Sequence, residues 1–416
     1  MFNDCAPPLP AEGHQMTITD RDARKTFSLR FLILVIFALQ PLAFGAWLPR
    51  IPDVRNALGI SPSVLALCLL GLPVGTLLAL PFAGRFVARV GAKPVMFWGF
   101  GVFLCLMPLP GLAASPGQLF LGLFAIGLVM PTLELAMNIS ADRIERTTGK
   151  LTMNTAHGCW SLGIMAGSLI GSGLAAADLA PALAIGLVGL IVLPIALVTV
   201  GLLPKLDGQE QVPRAGKKRS AGWLPARDVL AIGAFVLGVS MTEGAVADWS
   251  ALILRDVFHA GSGMAGLGYA VFAGFITLGR LLGDRAKGLF GPVRLARVCG
   301  VAALAGLAVV LLAPDAIVAC LGFAVLGLGV SVGFPLAVSA AADLPGRAPE
   351  TSVATVTFLA LMGFLVGPVV IGTIADLTHI GLGLVGLVPF LVLSLTMIPA
   401  LRPASGRPGG TEPHDA

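Results

Sequence analysis

Residues 180–227 read APALAIGLVGLIVLPIALVTVGLLPKLDGQEQVPRAGKKRSAGWLPAR. The run to Leu203 carries no charged side chain. About 20 such residues are enough for a helix to cross the hydrocarbon of a bilayer. The remainder is the longest polar stretch between apolar runs, and it holds Lys205, Arg214, Lys217, Lys218, Arg219 and Arg227. An apolar run of membrane length followed by a basic break is the unit of a multi-pass membrane protein.

Working outward from this stretch, the same unit recurs. Apolar runs between polar breaks predict spanning helices over 28–48, 62–84, 94–113, 117–140, 152–176, 180–203, 229–254, 263–282, 293–313, 315–339, 352–375 and 380–401. The basic residues test the count. With the N-terminus in the cytoplasm, 24 of the 27 Lys and Arg fall on inner loops, inner helix ends or tails, and only Arg50, Arg55 and Arg255 fall outside. Positive charge resists translocation, so this bias fixes orientation, and a missed helix would invert every later loop. The expected architecture is an all-α membrane protein of twelve transmembrane helices in two pseudo-symmetric six-helix bundles. Its parts are a cytoplasmic tail (1–27), a first bundle (28–203), a basic cytoplasmic linker (204–228), a second bundle (229–401) and a second tail (402–416). The run after residue 27 lacks a small-residue cleavage site and reads as a first helix, not a cleaved signal.

Composition agrees. The chain is 56% hydrophobic and 12% charged, half the charge of a soluble domain, with a mean hydropathy of +0.92. The net charge of +5 lies in short loops and not on one face, which speaks against a nucleic-acid partner. The expected partners are the lipid bilayer, protons and a small-molecule substrate, and the chain is expected to act as a monomer in a bacterial inner membrane. The six cysteines form no CxxC pair and read as small packing residues. No metal, cofactor or catalytic residue is expected: HExxH, GxSxG with partners and P-loop motifs are missing from the sequence. Ion channels more often build pores from rings of subunits.

The halves echo each other. Gly163 and Gly167 in the fifth helix match Gly363 and Gly367 in the eleventh at an offset of 200, and Gly75 and Gly84 echo Gly274 and Gly283. Repeats of this kind place a transporter's site at their interface. Between helices two and three the chain reads Gly84-Arg85-Phe86-Val87-Ala88-Arg89-Val90-Gly91-Ala92-Lys93. This resembles the loop signature of the major facilitator superfamily, Gly-x-x-x-Asp-Arg-x-Gly-x-Lys, with Gly84, Arg89, Gly91 and Lys93 matching and Ala88 in the Asp position. The resemblance implies a conformational loop that latches the cytoplasmic side. The second half keeps an Asp284-Arg285 pair in the corresponding region.

Ionisable side chains inside a span are costly and usually functional. Here they are Glu134, His157, Glu243 and Asp248. Glu134 and Asn138 share one helix face, as do Asn154, His157 and Ser161. Counting rise from the loop Asp142–Lys150 puts Glu134 and His157 at similar depth, so a contact between them, direct or through water, is expected. Glu134, His157 and Glu243 are the candidate proton-coupling residues; a static hydrogen bond locking two helices is the alternative for Glu134. Gln40, Asn138, Asn154, Trp160, Ser161, Asp248 and Trp249 are the candidate substrate contacts, the two tryptophans as stacking surfaces for a sugar ring.

Glu134-Leu135-Ala136-Met137-Asn138 resembles the fourth-helix Glu-x-x-x-Asn of the fucose permease branch, where the Glu is implicated in proton symport, although the first helix here has no acid in Ala43 to Pro49. The segments Met153 to Gly163 and Glu243 to Leu254 are similar to a bacterial inner-membrane branch that includes the membrane protein of rhizopine gene clusters. The expected activity is alternating-access transport, as proton-coupled symport of a sugar or similar polar metabolite. A proton-coupled exporter of drugs or metabolites is the alternative. Gly-Pro stands in the eleventh helix (Gly367-Pro368) and not in the fifth (Gly167-Ser168), which points away from drug antiporters.

Overall fold

The computed structural model describes residues 20–204, 227–345 and 349–402. Among the described residues, twelve helices are long and apolar enough to cross a membrane: Phe27–Leu58, Pro62–Val90, Ala92–Leu112, Pro116–Thr148, Thr155–Ala176, Pro181–Leu202, Arg227–Asp256, Ser262–Gly283, Pro292–Leu312, Ala316–Ala342, Thr351–Leu377 and Ile380–Leu401. They match the expected spans in number and order. The first helix begins at Asp20, ahead of its apolar run. The basic segment falls mostly outside the described residues.

Local chemistry sets the ends. The Ser61 and Ser115 hydroxyls accept from the backbone N–H of Val64 and Gln118, and the Asp315 carboxylate accepts from Ile317 and Val318. Each satisfies donors that a helix start leaves unpaired. Pro62, Pro116, Pro181 and Pro292 occupy first turns, where a missing N–H costs nothing. Large apolar side chains such as Trp98, Leu190 and Leu321 point outward and are mostly exposed, the surface expected of a protein solvated by lipid.

The helices form two bundles with the same internal plan. The first span packs along the fifth and the second along the fourth; the seventh packs along the eleventh and the eighth along the tenth. Glycines make this possible. A Cβ on Gly163 would lie 2.2 Å from the Ala38 carbonyl oxygen, and one on Gly167 2.1 Å from that of Leu42. In the second bundle a Cβ on Gly363 would lie 2.6 Å from the Leu237 oxygen. At Gly163 and Gly363 the two-hundred-residue repeat is therefore a repeat of close backbone contacts, the small-residue packing that membrane helices use, while Gly367 packs less tightly, 3.3 Å from Met241. The loops repeat too: Gly91 (φ +91) and Gly291 (φ +73) turn the chain in the left-handed region in both halves.

The bundles join at the end of the molecule opposite the basic loops. There Arg55 pairs with Asp256 and Arg255 with Asp53. Ser61 and Ser63 donate to Asp376, and Ser168 donates to the Gly266 carbonyl at 3.2 Å. Together these contacts form a polar seam across one end of the interface between the bundles.

Candidate functional site

Between the bundles lies a cavity of about 340 Å³, lined by both of them. The fourth span brings Glu134 to it, the fifth Trp160 and Ser161, the seventh Glu243 and Asp248, and the eighth Tyr269 and Arg280. Phe44, Trp47, Phe272 and Phe364 supply further aromatic wall. Most of its lining is apolar with a few convergent polar groups, the composition of a small-molecule site.

The fourth span is shaped where it meets the cavity. Pro131 lies inside the helix and has no N–H to give the Gly127 carbonyl. The Thr76 hydroxyl donates to that oxygen instead, at 3.4 Å. One turn further on, Glu134 is half-buried with the Gln40 amide beside it. Gln40 is fully buried. Its carbonyl oxygen accepts from the Trp160 indole N–H at 3.2 Å, while its Nε2 completes no hydrogen bond. Gln40 thus orients one cavity wall, behind both Glu134 and Trp160. Among the described residues no cation pairs with Glu134.

The opposite wall is different. Arg280 Nη2 stands 3.4 Å from both carboxylate oxygens of Glu243, and its Nε donates to the Ser331 carbonyl at 3.3 Å. Counting loop charges assigns Arg280 to the inner-loop cations, and the structure corrects that assignment. The eighth helix runs unbroken from Leu267 to Phe290, and Arg280 reaches the cavity from within it. The sequence held a signal, since Arg280 lies inside the span 263–282 that its own apolar run defines. Tyr269, the single tyrosine of the chain, has no sequence signal beyond its rarity; it packs on Phe272 with ring centroids 6.1 Å apart. Asp248 is half-buried, and among the described residues no hydrogen bond or ion pair reaches it.

Other expected residues lie elsewhere. His157 is exposed and sets its ring edge-on to Phe37 at 5.6 Å; it lies about one turn into the fifth helix, on the basic side of the cavity, and is not part of the cavity lining. Among the described residues, no hydrogen bond or ion pair joins Glu134 to His157, because the fifth span packs along the first and barely touches the fourth. Ser161 lines the cavity, but its hydroxyl donates to the His157 carbonyl at 3.2 Å. Trp249 is wholly buried and does not reach the cavity, so its indole is not a stacking surface there. Asn138 is half-buried outside the lining. The side chains of Asn154 and Asp284 lie outside the described residues.

In the loop, Gly84 is half-buried and Arg89 exposed, as is Arg285. The Lys93 ammonium donates to the carbonyls of Gly201, at 2.8 Å, and Leu203. It thereby caps the end of the sixth span, where carbonyls are left unpaired. The structure also assembles a cluster that sequence reading does not find, Arg50, Asp53, Arg55, Arg255 and Asp256. Arg50 is buried, lies 2.9 Å from Asp53 and donates to the Leu179 carbonyl.

Twelve spans in two like bundles around a shared central cavity define a secondary-transporter fold. The sequence matches the Major Facilitator Superfamily profile over residues 33–370, and the chain belongs to that family. It is similar to an uncharacterised MFS-type transporter of Yersinia pestis, at 31% identity over 86% of this chain and 92% of the relative. It is also similar to the membrane protein MosC of Rhizobium meliloti, at 29% identity over 89% and 90%. Among solved structures, the nucleoside transporter NupG matches with a TM-score of 0.72 at 14% identity, over 90% of this chain and 98% of NupG. A bacterial homologue of the human lysosomal transporter Spinster matches at 0.68 and 14%, over 91% and 97%.

Proposed function

We propose that the chain is a proton-coupled symporter of a small polar metabolite, acting as a monomer in a bacterial inner membrane by alternating access. The basic loops mark the cytoplasmic end, so both termini lie in the cytoplasm and the joined end faces outward. The conformation is then inward-facing, with the cavity closed to the outside by the arginine–aspartate pairs and the seam of the fifth and eighth spans.

The observation that carries proton coupling is the contrast between two cavity acids. Glu243 has a fixed cationic partner. Glu134 has a neutral amide beside it and, among the described residues, no cation. A carboxylate in such a place is free to exchange a proton as the cavity changes sides, while one held by arginine is not. The test uses proteoliposomes with a pH-sensitive dye trapped inside and a panel of sugars, polyols and amines added outside. Wild type should acidify the lumen when a substrate is added. Glu134→Gln should abolish that signal while still exchanging labelled substrate across the membrane. Full acidification by Glu134→Gln removes Glu134 from the coupling step.

A further inference from the structure

We propose that the substrate carries a single positive charge, a protonated amine, and that Asp248 anchors it. This rests on the reading of the central cavity as the transport site and adds the class of molecule that fits it.

Charge balance points to this class. The charged groups facing the cavity are Glu134, Glu243 and Asp248 on one sign and Arg280 on the other; His157 stands beyond it on the basic side. Arg280 and Glu243 cancel, held by two contacts of 3.4 Å. Glu134 and Asp248 remain, one on each bundle. A transporter must close this cavity to both sides of the membrane, and closing it over an unpaired charge is costly. One proton on Glu134 and one monocation beside Asp248 neutralise the site fully. A neutral sugar would leave Asp248 uncompensated unless a second proton accompanied it.

The walls suit the same molecule. Tyr269 lines the same cavity as Asp248, Glu243 and Arg280. Phe44, Trp47, Trp160 and Phe364 present further aromatic faces to the same space, and aromatic faces attract organic cations. Behind this wall the buried Gln40 amide stands beside Glu134, and its oxygen accepts from the Trp160 indole, which holds both groups in place around the cavity. A volume near 340 Å³ is at the small end for ligand sites, which favours a compound built on one ring.

The experiment compares matched pairs on the full-length protein in nanodiscs: glucosamine against glucose, and tyramine against 4-ethylphenol. Quenching of cavity tryptophan fluorescence gives affinities. At least one amine should bind roughly tenfold or more tightly than its neutral partner, the value of a charge-assisted contact. Asp248→Asn should erase the preference, and Asp248→Glu should keep part of it. Equal affinity within both pairs, an amine preference that survives Asp248→Asn, or failure of both amines to bind at millimolar concentration overturns the proposal. The wild-type comparison stands even where a variant does not fold. Amine binding without proton movement refutes symport and leaves the cation site standing. Proton-coupled uptake of the neutral members alone leaves symport standing and refutes the cation site.

Discussion

Replacing Asp53 and Asp256 with Asn should shift this protein toward its outward-open state. Asp256 pairs with Arg55 across the seam, and Asp53 with Arg255. The side chains are 18% to 31% exposed, so each pair is worth about 1 kcal/mol. These contacts exist only while the outer end is closed. Losing both cross-seam pairs removes about 2 kcal/mol from one state, while the loss of the Arg50–Asp53 contact within one bundle falls on both states alike, so the ratio of the two changes about 30-fold. Spin labels at Asn56 and Thr378, exposed positions on opposite bundles, would report it in a cysteine-depleted background. The distance distribution should gain a long component in the double variant. Charge swaps make the test stricter. Exchanging Arg55 and Asp256 should restore the short distance, because each faces mainly the other. Exchanging Asp53 and Arg255 should restore it only in part, because the new arginine at 53 would lie against the buried Arg50, which now sits 2.9 Å from Asp53. An unchanged distribution in the double Asn variant, or equal rescue by both swaps, refutes this account of the seam.

Two further outcomes follow from the packing and the cavity. Gly167→Val places a Cβ 2.1 Å from the Leu42 oxygen, against an ordinary contact of 3.4 Å or more; spreading two helices by about 1 Å should cost about 1–3 kcal/mol and lower the melting temperature in detergent, while Gly173→Ala on the same helix, with nothing within 4 Å, should leave it unchanged. Glu243→Gln and Arg280→Gln should each destabilise by leaving one charge uncompensated, and the double variant should melt above the worse of the two singles; simple additivity in the same melting assay would mean that the pair is not coupled.

The fold was legible because its signals are long. A run such as 180–203 has the length and composition of a membrane span whatever its neighbours are, and twelve of them with alternating loop charge leave little freedom. The acids of the cavity were legible for the same reason: Glu134, Glu243 and Asp248 are too costly to be incidental in apolar helices. What the sequence did not show is which helices touch. Glu134 and His157 do not share the depth that counting predicts, because the fourth helix runs on to Thr148 and the next begins at Met153, which leaves Glu134 several turns from the connection and His157 about one. The first span also takes the place beside the fifth that chain order assigned to the fourth. Trp249 follows Asp248 directly and so points about 100° away, into the packed interior. Arg280 was counted with the loop cations because it stands close to the inner end of its span, beside Arg285 and Lys287, although it lies within the span itself. The outer cluster was invisible because its two parts, Arg50 to Arg55 at the end of the first span and Arg255–Asp256 at the end of the seventh, lie some two hundred residues apart in the chain.

The two kinds of contact in this molecule have different consequences for motion. Within each bundle, backbone meets backbone over small residues: Gly163 and Gly167 against the first span, Gly71 and Gly75 against the Phe120 and Phe124 carbonyls, Gly327 against Phe272. Such surfaces cannot slide or part without steric clash or loss of packing, so each bundle moves as a unit. Between bundles, the outer seam consists of partly exposed ion pairs and hydroxyl–carboxylate bonds, each worth little. A seam of that strength closes one side without committing the protein to it. The charges in the cavity are then large enough to decide the state: a charge inside a span costs roughly 2.5–3.5 kcal/mol, and neutralising Glu134 and Asp248 removes a penalty at least as large as the two outer ion pairs together, at about 2 kcal/mol. On this view the outer cluster and the two unpaired acids are matched, and variants that strengthen the seam should slow turnover even where binding is untouched.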